Sequence, residues 1–400
     1  NPLYAQDITA GLTVSDTYSG LRTVEWSVEA PYDTEQDQSG TLQIEADGTL
    51  SGDTEGWSVV ESSQNLVTEL HREIGASHNS NGIVLTLTLT DRSGFVTTVT
   101  ETISIDKTNP SFTVTFDNHS YNEAYASEAQ YYQEPRVATV VVTERNFANA
   151  CALLNITDRD GGTGPYFSAW QVEEDLEDPD QTTYTATLTF DFDGNYDFQM
   201  GIMDLAGNRG ADYEGTSFVI DRTAPMVNVT YSGEGTGFGY YFNQDRTATI
   251  TVEEHNFDPS QFQLSGTGVF EGAAVAYPGI SGWSSSGDTH TATVTFRADG
   301  VYTLDVAYMD KAGNAASDYP GDEFVMDQTA PELAISGVED QSANPGTVAP
   351  VIRWSDVNAG EAASITLTGA NRGEVELDGE FSVGEQGGSY TFYDMAYGGI

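Results

Sequence analysis

Apolar and polar residues alternate with a period of two along most of this chain. In ITAGLTVSDTYSGLRTVEWSVEA, Ile8, Leu12 and Val14, then Val24, Trp26 and Val28, stand between polar neighbours. Successive side chains of a strand point to opposite faces, so this pattern predicts half-buried strands. The Ser-Asp-Gly-rich stretch between the two sets predicts a turn. Residues 33–56 are polar and Gly-rich and predict a loop or an edge hairpin. Residues 84–99 (VLTLTLTDRSGFVTTV) predict strand, turn and strand, with Leu85, Leu87 and Leu89 on one face.

The same pattern returns in register further on. RVATVVVTERNF (136–147) places Ala138, Val140 and Val142 as RTATITVEEHNF (246–257) places Ala248, Ile250 and Val252. Ala186, Leu188 and Phe190 then match Ala292, Val294 and Phe296, and Tyr196, Phe198, Met200 and Ile202 match Tyr302, Leu304, Val306 and Tyr308. DLAGN at Asp204 is followed by DRTAP at Asp221, and DKAGN at Asp310 by DQTAP at Asp327. The second set follows the first by 106 positions (310 − 204 and 327 − 221). DRSGF at Asp91 and DKTNP at Asp106 form a looser copy. A fixed period of this size marks a tandem array of small all-β modules.

DxAGN supplies Gly and Asn, which accept positive φ, to a tight turn between strands. The proline of DxTAP cannot donate to a ladder and holds the residue before it extended, so it ends one module and stiffens the entry to the next. Boundaries fall near Pro110, Pro225 and Pro331, giving spans 1–109, 110–224, 225–330 and 331–400. The fold expected is all-β, a series of sandwiches strung end to end. The last span stops where the others place their DG-x-Y turn, and it is expected to be cut short. Helical periodicity is nearly absent; the polar stretch 170–180 reads as a turn of helix or a loop.

Charge narrows the function. The chain carries 62 acidic and 14 basic residues, a net charge of −48. That opposes nucleic acid and anionic membranes, whose phosphates need Lys and Arg. It fits a soluble, self-repelling extracellular protein, expected to be monomeric. Cys151 is the single cysteine, so no intramolecular disulfide forms. That leans toward a bacterial surface protein, since animal Ig domains usually staple their two sheets. No apolar run reaches the roughly 18 residues of a membrane span. The chain starts without Met and reads as an internal piece of a longer protein.

DxAGN followed by DxTAP, with RTATIxVxExNF-type strands and a DG-x-Y turn, resembles the tandem Ig-like repeats of large bacterial cell-surface proteins of the gut Firmicutes type. The likeness is strongest over 110–330. Residues 1–109 lack the NF string, and Phe95 stands where DxAGN has Asn. The resemblance implies a non-enzymatic, cell-wall-attached stalk and adhesion region. Two alternatives are a module that binds a host protein such as an immunoglobulin, or a cell-surface glycan, and an accessory region of an extracellular carbohydrate-active enzyme.

Candidate chemistry follows from these strings. Tyr196 and Tyr302, in DG-x-Y, fit a tyrosine corner, where a buried Tyr hydroxyl bonds back to the main chain. The aspartates, paired as Asp91 with Asp106, Asp204 with Asp221 and Asp310 with Asp327, have two readings. They cap turns through backbone N–H groups, or they help bind Ca²⁺, which takes six to eight oxygens. The resemblance implies the second, since giant adhesins of similar repeats hold Ca²⁺ there. Tyr231, Phe238, Tyr240 and Tyr241 form the aromatic-rich stretch expected of a binding patch. His71 and His78 are expected at the surface or in turns. Cys151 is expected as a buried small hydrophobe. Lys107 and Lys311, the two lysines, fall in turns and are not expected to form isopeptide cross-links. No nucleophile, base and acid constellation emerges, and no catalysis is expected.

Overall fold

The computed structural model describes residues 2–63, 66–233, 235–236, 239–342, 344–359, 364–369 and 373–393. It divides into two units, Asn1–Arg222 and Thr223–Ile400.

The first unit opens with β1 (Leu3–Tyr4), β2 (Ile8–Ser15), β3 (Leu21–Glu29), β4 (Gln38–Ile44), β5 (Leu50–Gly52), β6 (Ser58–Ser63), β7 (Leu66–Ala76), β8 (Ser80–Asp91) and β9 (Val96–Ile105). They form sheets of order β1-β9-β8-β3-β4-β5 and β2-β7-β6. Alternation on β3 buries Val24, Trp26 and Val28 against Val14 of β2 and Leu70 and Ile74 of β7. Each such side chain removed from water contributes about 1.5–3 kcal/mol. Residues 33–56 form the edge hairpin β4–β5, turned at Gly48 with φ of 84°. His78, expected at the surface, is fully buried, with Nε2 3.6 Å from Asp37 Oδ1. One polar neighbour in an apolar interior gave no signal in the local sequence.

The second sandwich holds β10 (Ser111–Phe116), β11 (Tyr131–Tyr132), β12 (Arg136–Thr143), β13 (Ala152–Asp158), β14 (Gln171–Glu173), β15 (Thr183–Phe190), β16 (Gly194–Ile202) and β17 (Tyr213–Ile220). Its sheets are β10-β12-β15-β14 and β11-β17-β16-β13. β12 is central, so Ala138, Val140 and Val142 are fully buried on its inner side. The stretch 170–180 becomes edge strand β14 and a single 3-10 turn at Pro179–Gln181. Arg136 is the unexpected core residue. It is 5% exposed, and its guanidinium lies 3.9 Å from the ring centre of Phe116, 4.5 Å from Tyr132 and 4.8 Å from Phe218.

The second unit repeats this plan with β18 (Met226–Tyr231), β19 (Tyr241–Phe242), β20 (Arg246–Glu253), β21 (Gln263–Ser265), β22 (Gly268–Phe270), β23 (Ala273–Ala274), β24 (Ser284–Ser286), β25 (Thr289–Phe296), β26 (Gly300–Ala307) and β27 (Asp322–Met326). The sheets are β18-β20-β25-β24 and β19-β27-β26-β22-β23, with β21 also on β26. Arg246 lies under Tyr231, Phe242 and Phe324 as Arg136 does under its three rings. β28 (Glu332–Ser336), β29 (Val351–Ser355), β30 (Leu367–Gly369), β31 (Gly373–Val375), β32 (Gly379–Gly384) and β33 (Gly387–Phe392) complete the described strands. They form a sheet β28-β29-β33-β32 and a hairpin β30-β31.

The sheets thus fall within the spans 1–109, 110–224, 225–330 and 331–400. In each of the first three, a short early strand pairs parallel with the last: β1 with β9, β11 with β17, β19 with β27. A four-stranded sheet facing a sheet that carries the last two long strands is the immunoglobulin-like arrangement. The chain is an all-β array of Ig-like sandwiches.

Candidate functional site

Within the first unit, the end of one sandwich meets the loops of the next around three buried carboxylates. Asp106 follows β9, where the DKTNP string stops the strand, and is fully buried. Glu144 follows β12 and is 1% exposed. Asp204 opens the turn after β16 and is also buried. Carboxylate oxygens of the three lie within 4.8 Å of one another.

Each is fixed by its own turn. Asp204 Oδ1 accepts the Gly207 and Asn208 N–H groups at 2.7 and 2.8 Å, and Oδ2 accepts Asn208 Nδ2 at 2.8 Å. Gly207, with φ of 99°, makes that closure possible. Asn208 Nδ2 also donates to the Asp106 carbonyl at 2.8 Å. Asp106 Oδ1 accepts the Thr108 N–H at 3.1 Å, and Oδ2 accepts Asn146 Nδ2 at 2.5 Å. Glu144 Oε1 accepts the Asn146 N–H at 2.6 Å. Asn146 and Asn81 exchange side-chain amide bonds of 2.7 and 3.2 Å across the joint.

The charge is incompletely matched. Arg145, 5% exposed in its side chain, has Nη2 3.3 Å from Asp106 Oδ1 and Nη1 3.3 Å from Asp180 Oδ1. Burial is the main force on Glu144, and its carboxyl is pushed up to about 7. The Asn146 N–H opposes that, while Asp106 and Asp204 add to it as like charges. Glu144 Oε2 is buried and meets no donor, and the carboxyl lies within hydrogen-bond reach of the Asp106 carboxylate, which pushes it up further. An orphaned oxygen among three carboxylates needs a proton or a cation. The donor set is all oxygen, the set a hard cation such as Ca²⁺ takes. Asp106, Glu144 and Asp204 are the residues that would hold it. The turn-capping role is present as well, since every oxygen of Asp106 and Asp204 already accepts a donor.

This grouping differs from the expected pairs. Asp204 and Asp221 stand at opposite ends of β17, an eight-residue strand of roughly 26 Å at about 3.3 Å per residue. Asp91 and Asp106 likewise flank the ten-residue β9. Asp310 and Asp327 precede and follow β27. The DLAGN turn at Asp204 therefore meets the DKTNP exit of the preceding module at Asp106, not the exit of its own. Asp91 stays in its own turn, accepting the Phe95 N–H at 2.8 Å and Ser19 Oγ at 2.8 Å. Asp221 is buried and donates its N–H to the Tyr132 carbonyl at 2.9 Å.

Glu144 and Asn146 were missed, although the recurring E-x-N-F string carried them. In the second unit, Glu254 Oε1 accepts the Asn256 N–H at 2.6 Å, as Glu144 does that of Asn146. Asp310 accepts Gly313 N, Asn314 N and Asn314 Nδ2 at 2.7, 2.8 and 2.8 Å, and burial raises its carboxyl. At the following joint, Asn358 Nδ2 donates to Asp327 Oδ2 at 2.9 Å, and Asn358 N–H to Asp356 Oδ1 at 2.7 Å.

The other candidates sit as follows. Tyr196 donates to the Phe192 carbonyl at 3.0 Å and Tyr302 to the Ala298 carbonyl at 3.1 Å. Tyr231 is not part of an exposed patch: its hydroxyl reaches Asp322 Oδ2 at 2.7 Å and its ring packs on Phe324, because the inward side of β18 closes the core. Tyr240 is exposed and stacks on half-buried Tyr241 at 5.0 Å. Phe238 lies outside the described residues. Cys151 is buried, and burial pushes its thiol up, away from nucleophilic thiolate. Lys107 Nζ is 2.8 Å from Asp7 Oδ1.

No family model matches the chain, and no curated protein matches it. Among solved structures it is similar to a marsupial T cell receptor, at 9% identity over 76% of this chain and 94% of that one, TM-score 0.28. It is similar to murine CEACAM1b at 13% identity, over 55% of this chain and 96% of that one, TM-score 0.27. It is also similar to FdeC, a broadly conserved Escherichia coli adhesin, at 12% identity, over 82% of this chain and 94% of that one, TM-score 0.29. The Ig-like assignment rests on the strand pairing, not on these likenesses. No helix among the described residues is long and apolar enough to cross a membrane.

Proposed function

We propose that this chain is a non-enzymatic, extracellular segment of a bacterial surface protein, acting as stalk and adhesion region. The observation that carries this is a joint built the same way in each unit. An Asn amide in the loop after the second long strand of a module bonds the aspartate leaving the module before it: Asn146 to Asp106, and Asn358 to Asp327. A chain that needs only flexible linkage has no use for buried, hydrogen-bonded joints.

Calcium is part of this reading. Bound by Asp106, Glu144 and Asp204, it would supply the positive charge that three buried carboxylates lack. The protein's own part is to hold those oxygens on three separate strand ends, so that the ion ties one sandwich to the next.

The test displays the chain on non-adherent carrier cells, with and without a fused domain of known target. Target-coated beads are captured by the fusion and missed when the chain between domain and cell is deleted. Equal capture without the chain overturns the spacer role. Capture of beads bearing host matrix proteins or glycans by the chain alone locates the adhesion region. The exposed Tyr240, stacked on Tyr241, is the first side chain to substitute there.

A further inference from the structure

Arg145 occupies a position in the joint where the modules differ in charge. The E-x-N-F register equates Arg145 with His255 and Val357, since Asn146, Asn256 and Asn358 follow each. His255 is half-exposed and turns to Asp288, with Nδ1 2.9 Å from Oδ1. Val357 lines an open cleft of about 270 Å³, whose walls include Glu271, Asp299, Asp327, Glu332 and Asp356 and no basic side chain. Arg145 by contrast is buried and grips the preceding sandwich. Besides its two ion pairs, Nη1 donates to the Asn79 carbonyl at 3.0 Å, and Nη2 to Asn79 Oδ1 at 3.3 Å and the Ile105 carbonyl at 3.4 Å. A fork of fixed donors on one planar group suits such a clamp.

Resting on the calcium reading above, we infer that Arg145 is a built-in rival of the cation: it holds this joint closed without metal and weakens metal binding there. The guanidinium spends its charge on Asp106, one of the three carboxylates a cation would use. In a buried site, a fixed positive charge that close to a ligand opposes a divalent ion strongly. The cleft beside Val357 has no basic side chain in its walls, so no such rival is built in there.

The experiment uses the full chain as wild type, Arg145→Gln, Arg145→Lys and Arg145→His, the last carrying the residue of the following module. Calcium heat is measured at about pH 8, where a His of ordinary pKa is neutral. The site is defined as the heat that Glu144→Gln removes. Melting is followed with chelator and with calcium. R145Q and R145H bind calcium about tenfold more tightly than wild type, a shift of about 1.4 kcal/mol. Their melting midpoint falls in chelator and is regained with calcium. R145K keeps the charge and stays at wild-type affinity, although it loses the fork. Should R145Q fail to fold, R145H carries the comparison. Calcium heat of equal affinity in wild type, R145H and R145K overturns the rivalry and leaves the calcium site standing. No heat sensitive to Glu144→Gln in any variant overturns the calcium site and the rivalry together.

Discussion

Asn146 Nδ2 lies 2.5 Å from Asp106 Oδ2, so the loop after β12 is tied to the strand end of the preceding sandwich by a charge-assisted bond. The same amide group reaches Asn81. Replacing Asn146 by Ala leaves a buried carboxylate short of a donor. Such a loss costs roughly 2 kcal/mol. The melting midpoint of the first unit is expected to fall, and cleavage between residues 106 and 110 by a protease to accelerate. Unchanged cleavage would show that other contacts hold the joint.

Glu144 sets a pH dependence in the absence of calcium. Its carboxyl ionises near 4.5 when unfolded and at about 7 when folded. The folded state therefore keeps a proton that the unfolded chain releases. The stability this gives is fully present below about pH 4.5 and is lost as pH rises through about 7. With chelator present, the wild-type midpoint should drop between about pH 5 and pH 8 more steeply than that of Glu144→Gln, which cannot ionise. Parallel slopes would mean that Glu144 titrates normally.

Tyr196→Phe and Tyr302→Phe each remove one hydroxyl bond to a main-chain carbonyl while keeping the ring. Each is expected to lower stability by about 1 kcal/mol. The two residues sit in different units, so the double variant should show two separate, undiminished losses by calorimetry. A loss from one substitution only would show that the corner matters in one sandwich alone.

Arg136 plugs its core with a charge over three rings. Arg136→Met fills much of the same space and forfeits the cation–π attraction, at about 2 kcal/mol. Arg136→Ala also opens a cavity and should cost roughly 3 kcal/mol or more. Equal melting of R136M and R136A would assign the whole effect to charge. The matching pair at Arg246 is expected to behave alike, with Tyr231 taking the place of Phe116.

The strands were readable because they depend on local chemistry. Alternation on β12 and β20 names the buried side chains directly, and Pro110, Pro225 and Pro331 each stand immediately before a strand begins. The site was not readable in the same way. Asp106 and Asp204 come together only because β16 runs to one pole of its sandwich, and sequence distance alone paired each aspartate across a strand instead. Glu144 looked like one acid among 62. Its position before Asn146-Phe147 marked the repeat without revealing that the loop turns inward. Arg136 was not singled out, since nothing local says that three rings from distant strands close over it.

The parallel pairing of early and late strands has a mechanical consequence. Asp106, Asp221 and Asp327 donate their N–H groups to Tyr4, Tyr132 and Phe242 at 2.8, 2.9 and 2.9 Å. Ser104, Val219 and Val325 donate likewise to Pro2, Gln130 and Tyr240 at 3.0, 2.9 and 2.9 Å. A pull on the ends of the first sandwich drags its terminal strands β1 and β9 past each other along their length, and in the next two the same shear falls on β11 with β17 and on β19 with β27 once β10 or β18 has given way. Both bonds of the pair must then rupture at once instead of peeling apart in turn. Each of the first three modules carries its own shear latch, closed by the same aspartate that anchors the exit.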